Sequence, residues 1–235
     1  MKKLVIILLC TISVFANAQT SENKNMYNLL VKFTVKADAV TEFKEACVNS
    51  LIESRKEAGN VEMKLYADDN KENVFFVYSR WENEAAYENH KSLPHSINIT
   101  KVAKESLQEA PEVMVLGTTT PAPEHNLKQL NPEDQEKTIF FIFKIKEGYR
   151  DRIIDRFETH VKHSRTEQGN LFFDFYTIDG EDNTFVVFEN WRNKSAIWDI
   201  HMKQPYSEVT GALINEAMIG EMDQYMNFIS EINKK

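Results

Sequence analysis

The chain has 235 residues, 42% of them hydrophobic, with 36 Asp and Glu against 28 Lys and Arg and a formal net charge of −8. An acidic chain without clustered Lys and Arg lacks the contacts that phosphates need, which excludes nucleic acid and anionic membranes as partners on charge grounds.

Residues 1–18 carry the three parts of a secretory signal. Lys2 and Lys3 form a basic start, Leu4 to Phe15 an apolar run, and Ala16-Asn17-Ala18 the small residues needed before cleavage at Gln19. The run is shorter than the roughly 20 residues that span a bilayer. Cys10 follows Leu9, without the small residue that precedes a lipoprotein cysteine. The expectation is cleavage after Ala18 and a periplasmic or secreted location, with no membrane insertion afterwards. Losing Lys2 and Lys3 leaves 26 basic residues against 36 acidic ones, a net charge of −10. Cys47 is then the sole cysteine, so no intrachain disulfide can form, and the fold must be held by its core.

Sliding the chain by 110 residues aligns it with itself. Ser54-Arg55-Lys56-Glu57-Ala58-Gly59-Asn60 lies over Ser164-Arg165-Thr166-Glu167-Gln168-Gly169-Asn170, and Trp81 over Trp191. Beyond Ala86 and Ala196 the second copy carries one extra residue, so His90 matches His201 and Pro94 matches Pro205. The density of matches marks a duplication: domain one over 26–117, a linker over 118–137, domain two over 138–231.

Each copy opens with a strand, Tyr27–Lys36 or Thr138–Lys146, in which alternate residues are apolar. A helix follows, with apolar positions at Val40, Phe43, Cys47 and Leu51 or Ile153, Ile154, Phe157 and Val161. Gly59 and Gly169 are expected to cap it in the left-handed conformation. Two strands come next, Val61–Ala67 with Val74–Trp81 and Leu171–Ile178 with Thr184–Trp191. One helical region then runs through His90 to Leu107 before a last strand near Val113–Leu116, with its counterpart near Gln224–Ile229. This order is the β-α-β-β-α-β ferredoxin-like unit of an α+β fold. In the second copy both strand faces are apolar, as in Phe140 against Phe141, while one helix layer covers only one face. The other face therefore calls for a second sheet, and the other repeat is the nearest. Gly117–Lys137, with Pro121, Pro123 and Pro132, reads as a solvated connection that lets the copies pair face to face.

The shared motif of Arg55, Glu57, Gly59, Asn60, Trp81, Ala86, His90, Pro94 and His95, with its counterparts Arg165, Glu167, Gly169, Asn170, Trp191, Ala196, His201, Pro205 and Tyr206, resembles the antibiotic biosynthesis monooxygenase domain. The resemblance implies a dimeric α+β barrel, made here within one chain, and a pocket between sheet and helices. It also implies cofactor-free oxidation of a small aromatic molecule, a quinol or phenol, with dioxygen as co-substrate and no metal. Members of the family also degrade haem or isomerise signalling sugars. Trp81, His90 and His95 repeat the Trp-x8-His-x4-His spacing of the quinol-oxygenase branch. Repeat two departs by its inserted residue and by Tyr206, and repeat one by Ser79 where repeat two has Glu189.

The candidate catalytic groups are His90, His95, His201, Tyr206 and Glu189, with histidine as the base because its proton moves near neutral pH. His90 and His95 are five apart, off one face of a straight helix, unless Pro94 bends or ends it. Trp81, Trp191, Asn60 and Asn170 are candidate substrate contacts, although a tryptophan ending a strand also serves as a core plug. His160 and His163 are expected to be exposed, and Cys47 to be a core thiol. The alternative to an oxygenase is a non-catalytic module of the cell envelope that binds a small ligand, with haem as one candidate. A first strand bearing Phe140, Phe141 and Phe143, with asparagine only at Asn28 in repeat one, argues against haem degradation.

Overall fold

The computed structural model describes residues 26–124 and 128–232. The expected secretory signal lies outside them. Repeat one runs β1 (Tyr27–Thr34), α1 (Val40–Ser54), β2 (Asn60–Asp68), β3 (Val74–Trp81), α2 (Glu84–Lys91), α3 (Pro94–Ser106) and β4 (Glu112–Thr118). Repeat two runs β5 (Lys137–Lys144), α4 (Arg150–Ser164), β6 (Asn170–Ile178), β7 (Glu181–Trp191), a π-helical turn over Ala196–Ile200, a 3-10 turn over His201–Lys203, α5 (Pro205–Ala217) and β8 (Met226–Ile232). No helix among the described residues is long and apolar enough to cross a membrane.

The eight strands close into one antiparallel barrel in the order β1-β3-β2-β8-β5-β7-β6-β4. The last strand of each repeat makes the closure. β4 pairs its own first strand (Asn28 with Leu116) and the foreign β6 (Leu116 with Ile178). β8 likewise pairs β5 (Thr138 with Ile229) and the foreign β2 (Asp68 with Ile229). No strand edge is left unpaired, so neither repeat offers a template for stray pairing.

Strand alternation sorts the apolar side chains between two kinds of core. Leu30, Phe76, Phe140 and Phe188 turn into the barrel and fill it. Phe140 and Phe188 stand 4.4 Å apart between ring centres, and the Tyr78 and Tyr176 hydroxyls meet at 3.0 Å across the two repeats. The lumen is thus a packed core, and space for a ligand must lie outside it, under the helices. There Val35, Phe43 and Leu65 build the core of repeat one, and Ile139, Phe157 and Phe175 that of repeat two.

Four expectations change. Gly59 and Gly169 do not cap the first helices, which end at Ser54 and Ser164. Gly59 does take a positive φ of 83°, but Gly169 does not. What they share is proximity: a Cβ would stand 2.6 Å from that of Ala86 in repeat one and 2.5 Å from that of Ala196 in repeat two. The region after β3 is two helices, because Pro94 sits at the first position of α3 and α2 stops at Lys91. His160 is buried rather than exposed, since α4 turns it toward Thr210 (3.0 Å); His163 stays exposed. The segment before β5 is fastened to repeat two: the Glu124 amide donates to Asp174, and Lys128 donates to the carbonyls of Arg165 and Asn170.

Candidate functional site

The motif around Gly59 positions one carboxylate. Arg55 donates through Nε to the Met63 carbonyl at 2.9 Å, and the Asn60 amide donates to the Glu57 carbonyl at 3.2 Å, closing the turn from α1 into β2. Asn170 and Glu167 repeat the closure at 3.2 Å, and Arg165 donates to Phe173 at 2.8 Å. Each turn ends in a β-bulge, between Asn60 and Glu62 or Asn170 and Phe172, which re-aims the strand beside the site.

Two side chains from the second helical region converge on Glu57. Asn83 caps α2 by accepting from the Ala86 amide at 3.0 Å, which sets the helix register. The break at Pro94 then swings His95 back, so that His90 Nδ1 and His95 Nε2 reach the same Oε1 of Glu57 at 2.8 and 2.7 Å. A carboxylate only accepts, so both rings donate to it, and the lone pair of His90 is left on Nε2. Burial holds the His90 imidazole below its ordinary value, while Glu57 pulls it upward and His95 adds to the lowering.

Repeat two builds the same figure with different parts. His201 Nδ1 lies 3.0 Å from Glu167 Oε1, and the Tyr206 hydroxyl donates to that same oxygen. The extra residue after Trp191 does not displace His201, because the π-helical turn Ala196–Ile200 absorbs it. Trp191 packs with its ring centre 4.5 Å from that of His201, as Trp81 packs 4.7 Å from His90, both pairs tilted. Both indoles are fully buried, and they touch lining residues without lining the cavities themselves; Asn60 and Asn170 do not line them either. Their indole N–H groups go to different acceptors: Trp81 donates to Ser79 at 3.1 Å, Trp191 to Glu189 at 2.9 Å. Burial pushes the Glu189 carboxyl up, against His201 and the Trp191 N–H, which pull it down, and it pushes the His160 imidazole well down.

The cavities in front of the two histidines are unequal. Repeat one encloses about 210 Å³ and repeat two about 70 Å³. The difference follows from five aligned positions: Val31, Cys47, Ser50, Met63 and Ser79 line the first, and Phe141, Phe157, His160, Phe173 and Glu189 line the second. Of the sequence candidates, His90 faces the larger cavity, while His201 and Glu189 face the smaller; His95 and Tyr206 stand behind them on the carboxylates. Glu57, Glu167 and Ser79 were not singled out for a role by the sequence reading, although the duplicated Arg-x-Glu-x-Gly-Asn motif marked the two glutamates.

Glu57, His90 and His95 also form a group with metal-ligand spacing, their ligand atoms lying within 4.8 Å of one another. The same arrangement recurs in repeat two with a tyrosine, whose hydroxyl burial and Glu167 keep protonated. In both repeats the glutamate Oε2 is buried without a partner. What the copies have in common is a triad in which a histidine and a second side chain share one glutamate oxygen.

Two ferredoxin-like units closed into an eight-stranded barrel, each with a His-Glu pair under its helices, define a tandem dimeric α+β barrel protein. The chain belongs to the antibiotic biosynthesis monooxygenase family, whose model matches residues 26–101 and 138–211. It is 37% identical over 54 residues to the candidate monooxygenase YcnE of Bacillus subtilis and 38% identical over 63 residues to an uncharacterised protein of Synechocystis. The matched stretches are 23% and 27% of this chain and span 57% and 42% of those relatives. The solved structure of a candidate monooxygenase from Fusobacterium nucleatum shares the fold, with a TM-score of 0.70 at 15% identity over 89% of this chain and 95% of that one.

Proposed function

We propose that the protein is an exported, cofactor-independent oxygenase of a small electron-rich aromatic ring, a quinol or phenol, with repeat one as the working copy and repeat two as its barrel partner. The contrast in cavity volume carries this reading. An apolar cavity of about 150 Å³ is known to hold one benzene ring. On that measure the 210 Å³ of repeat one fits a single substituted ring, and the 70 Å³ of repeat two does not.

The chemistry follows from the groups that meet there. His90 Nε2 takes the proton of the ring hydroxyl, which makes the substrate an electron-rich anion able to react with dioxygen. Glu57 fixes the tautomer and stabilises the imidazolium that forms. Ser79 has accepted the Trp81 N–H and keeps its own O–H to donate to the phenolate oxygen. One oxygen atom enters the ring as a carbonyl. The other leaves as water, with the hydrogens lost from the hydroxyl and the ring carbon.

Oxygen uptake by the chain starting at Gln19, with simple phenols and quinols in chelator-treated buffer, tests this. Uptake with 18O from labelled dioxygen in both product and water is expected, unaffected by the chelator. Binding of these rings without uptake would instead make the protein a ligand-binding module. Export is tested separately by the mass of the chain recovered outside the cytoplasm, which should begin at Gln19.

A further inference from the structure

We infer that the ring is the head of an amphipathic molecule, and that its apolar tail lies in a groove of repeat one beside α3. This rests on the ring-in-cavity reading above. Against the outside of the His90 cavity lies a second, larger space of about 570 Å³. The two share Phe33, Ile99, Thr100 and Pro111 as walls, so they adjoin, with only those side chains between them. Beyond those residues the groove is walled by Ala103 and Leu107, and it reaches charge only at Lys104 and Glu109. A head group held between His90 and Ser79 by its hydroxyl would therefore point its opposite side along an apolar channel. A single-ring phenol without a tail leaves that channel in water, and the burial it could supply goes unused.

The groove goes with the open cavity. The helix position that matches Ala103 in repeat two is Ile214, which is buried and lines the 70 Å³ cavity together with Met222 and Met226. The copy that has filled its ring cavity has thus also put bulk where repeat one has Ala103 and Pro111. Small side chains at both levels in the same copy point to one elongated ligand rather than to two unrelated hollows.

Calorimetric titration of the Gln19 chain with 4-alkylphenols, from methyl to octyl and in the absence of dioxygen, tests the inference. Each methylene moved from water into the groove should tighten binding by about fourfold until the chain outgrows it. Ala103→Phe should keep the affinity for 4-methylphenol and flatten the series. Ala103→Ile, which copies repeat two, should flatten it in part and serves if the larger side chain does not fold. Ser79→Glu should abolish binding of every member by closing the ring cavity. An affinity unchanged from methyl to octyl, or a series equally steep in both Ala103 variants, would overturn the tail assignment while leaving the ring site intact. If no alkylphenol binds, the ring reading falls together with it.

Discussion

Glu57 holds two imidazoles on one oxygen, and that economy governs what His90 can do. Replacing it by glutamine removes the charge that pulls the His90 pKa upward, so burial is left unopposed. Glu57→Gln should therefore move the acid limb of the activity profile to lower pH, and lower the rate above it by about ten- to a hundredfold as the tautomer loosens. A limb that moves to higher pH would show that another group titrates there. His160 gives a second prediction, on stability. Burial holds it well below its ordinary value, with His201, Arg156 and His163 adding to the lowering. The unfolded chain then binds the proton more readily, so stability is full above the ordinary histidine pKa of about 6.5 and declines as pH falls below it. Asp174, raised to about 6 by burial, acts in the opposite sense: its contribution is present below its ordinary value of 3.8 and is lost as pH rises through 6. Denaturant melts from pH 7 to 5 should show a shallower acid decline in His160→Gln than in the parent chain. An unchanged slope would mean that His160 does not take up the proton.

The elements after β3 show how a duplicated sequence tolerates divergence. His201 lies ten residues after Trp191 and His90 nine after Trp81, yet both reach their glutamates within 3.0 Å. A one-residue insertion visible in sequence can rotate everything beyond it or be absorbed locally, and spacing alone does not say which. The π-helical turn is the local solution. Similarly, the glycines were legible as fixed points but not for their cause, since a cap and a close approach select the same residue. Gly169→Ala should cost about 1–3 kcal/mol in chemical denaturation, because the new methyl group meets the Ala196 Cβ. Ala196→Gly should recover much of that loss; if it does not, the contact is not the reason for the glycine. Strands and the first helices were readable because alternation and helical periodicity are local. The burial of His160 was not, because it depends on a contact with Thr210, fifty residues away.

The barrel itself was legible from two facts, a repeat and strands apolar on both faces. What the sequence did not contain was the closure, in which β4 and β8 stay beside their own first strands and each also pairs the edge strand of the other repeat, so that a repeat by itself has two open edges. Residues 26–118 expressed alone should therefore dimerise or aggregate, and a stable monomer by sedimentation would contradict that dependence. The asymmetry between copies was half visible, in Ser79 against Glu189 and His95 against Tyr206. Its consequence for volume emerges only when five aligned positions are seen to line one space.

One comparison separates a single working pocket from two: oxygen uptake by His90→Ala and by His201→Ala, each matched with the parent chain on the same phenol or quinol. Uptake should fall by about 10²–10⁴ in His90→Ala, as loss of a general base requires, and stay within about twofold of the parent in His201→Ala. Loss in His201→Ala with full rate in His90→Ala would place the chemistry in repeat two, and the larger cavity would then not be the active one.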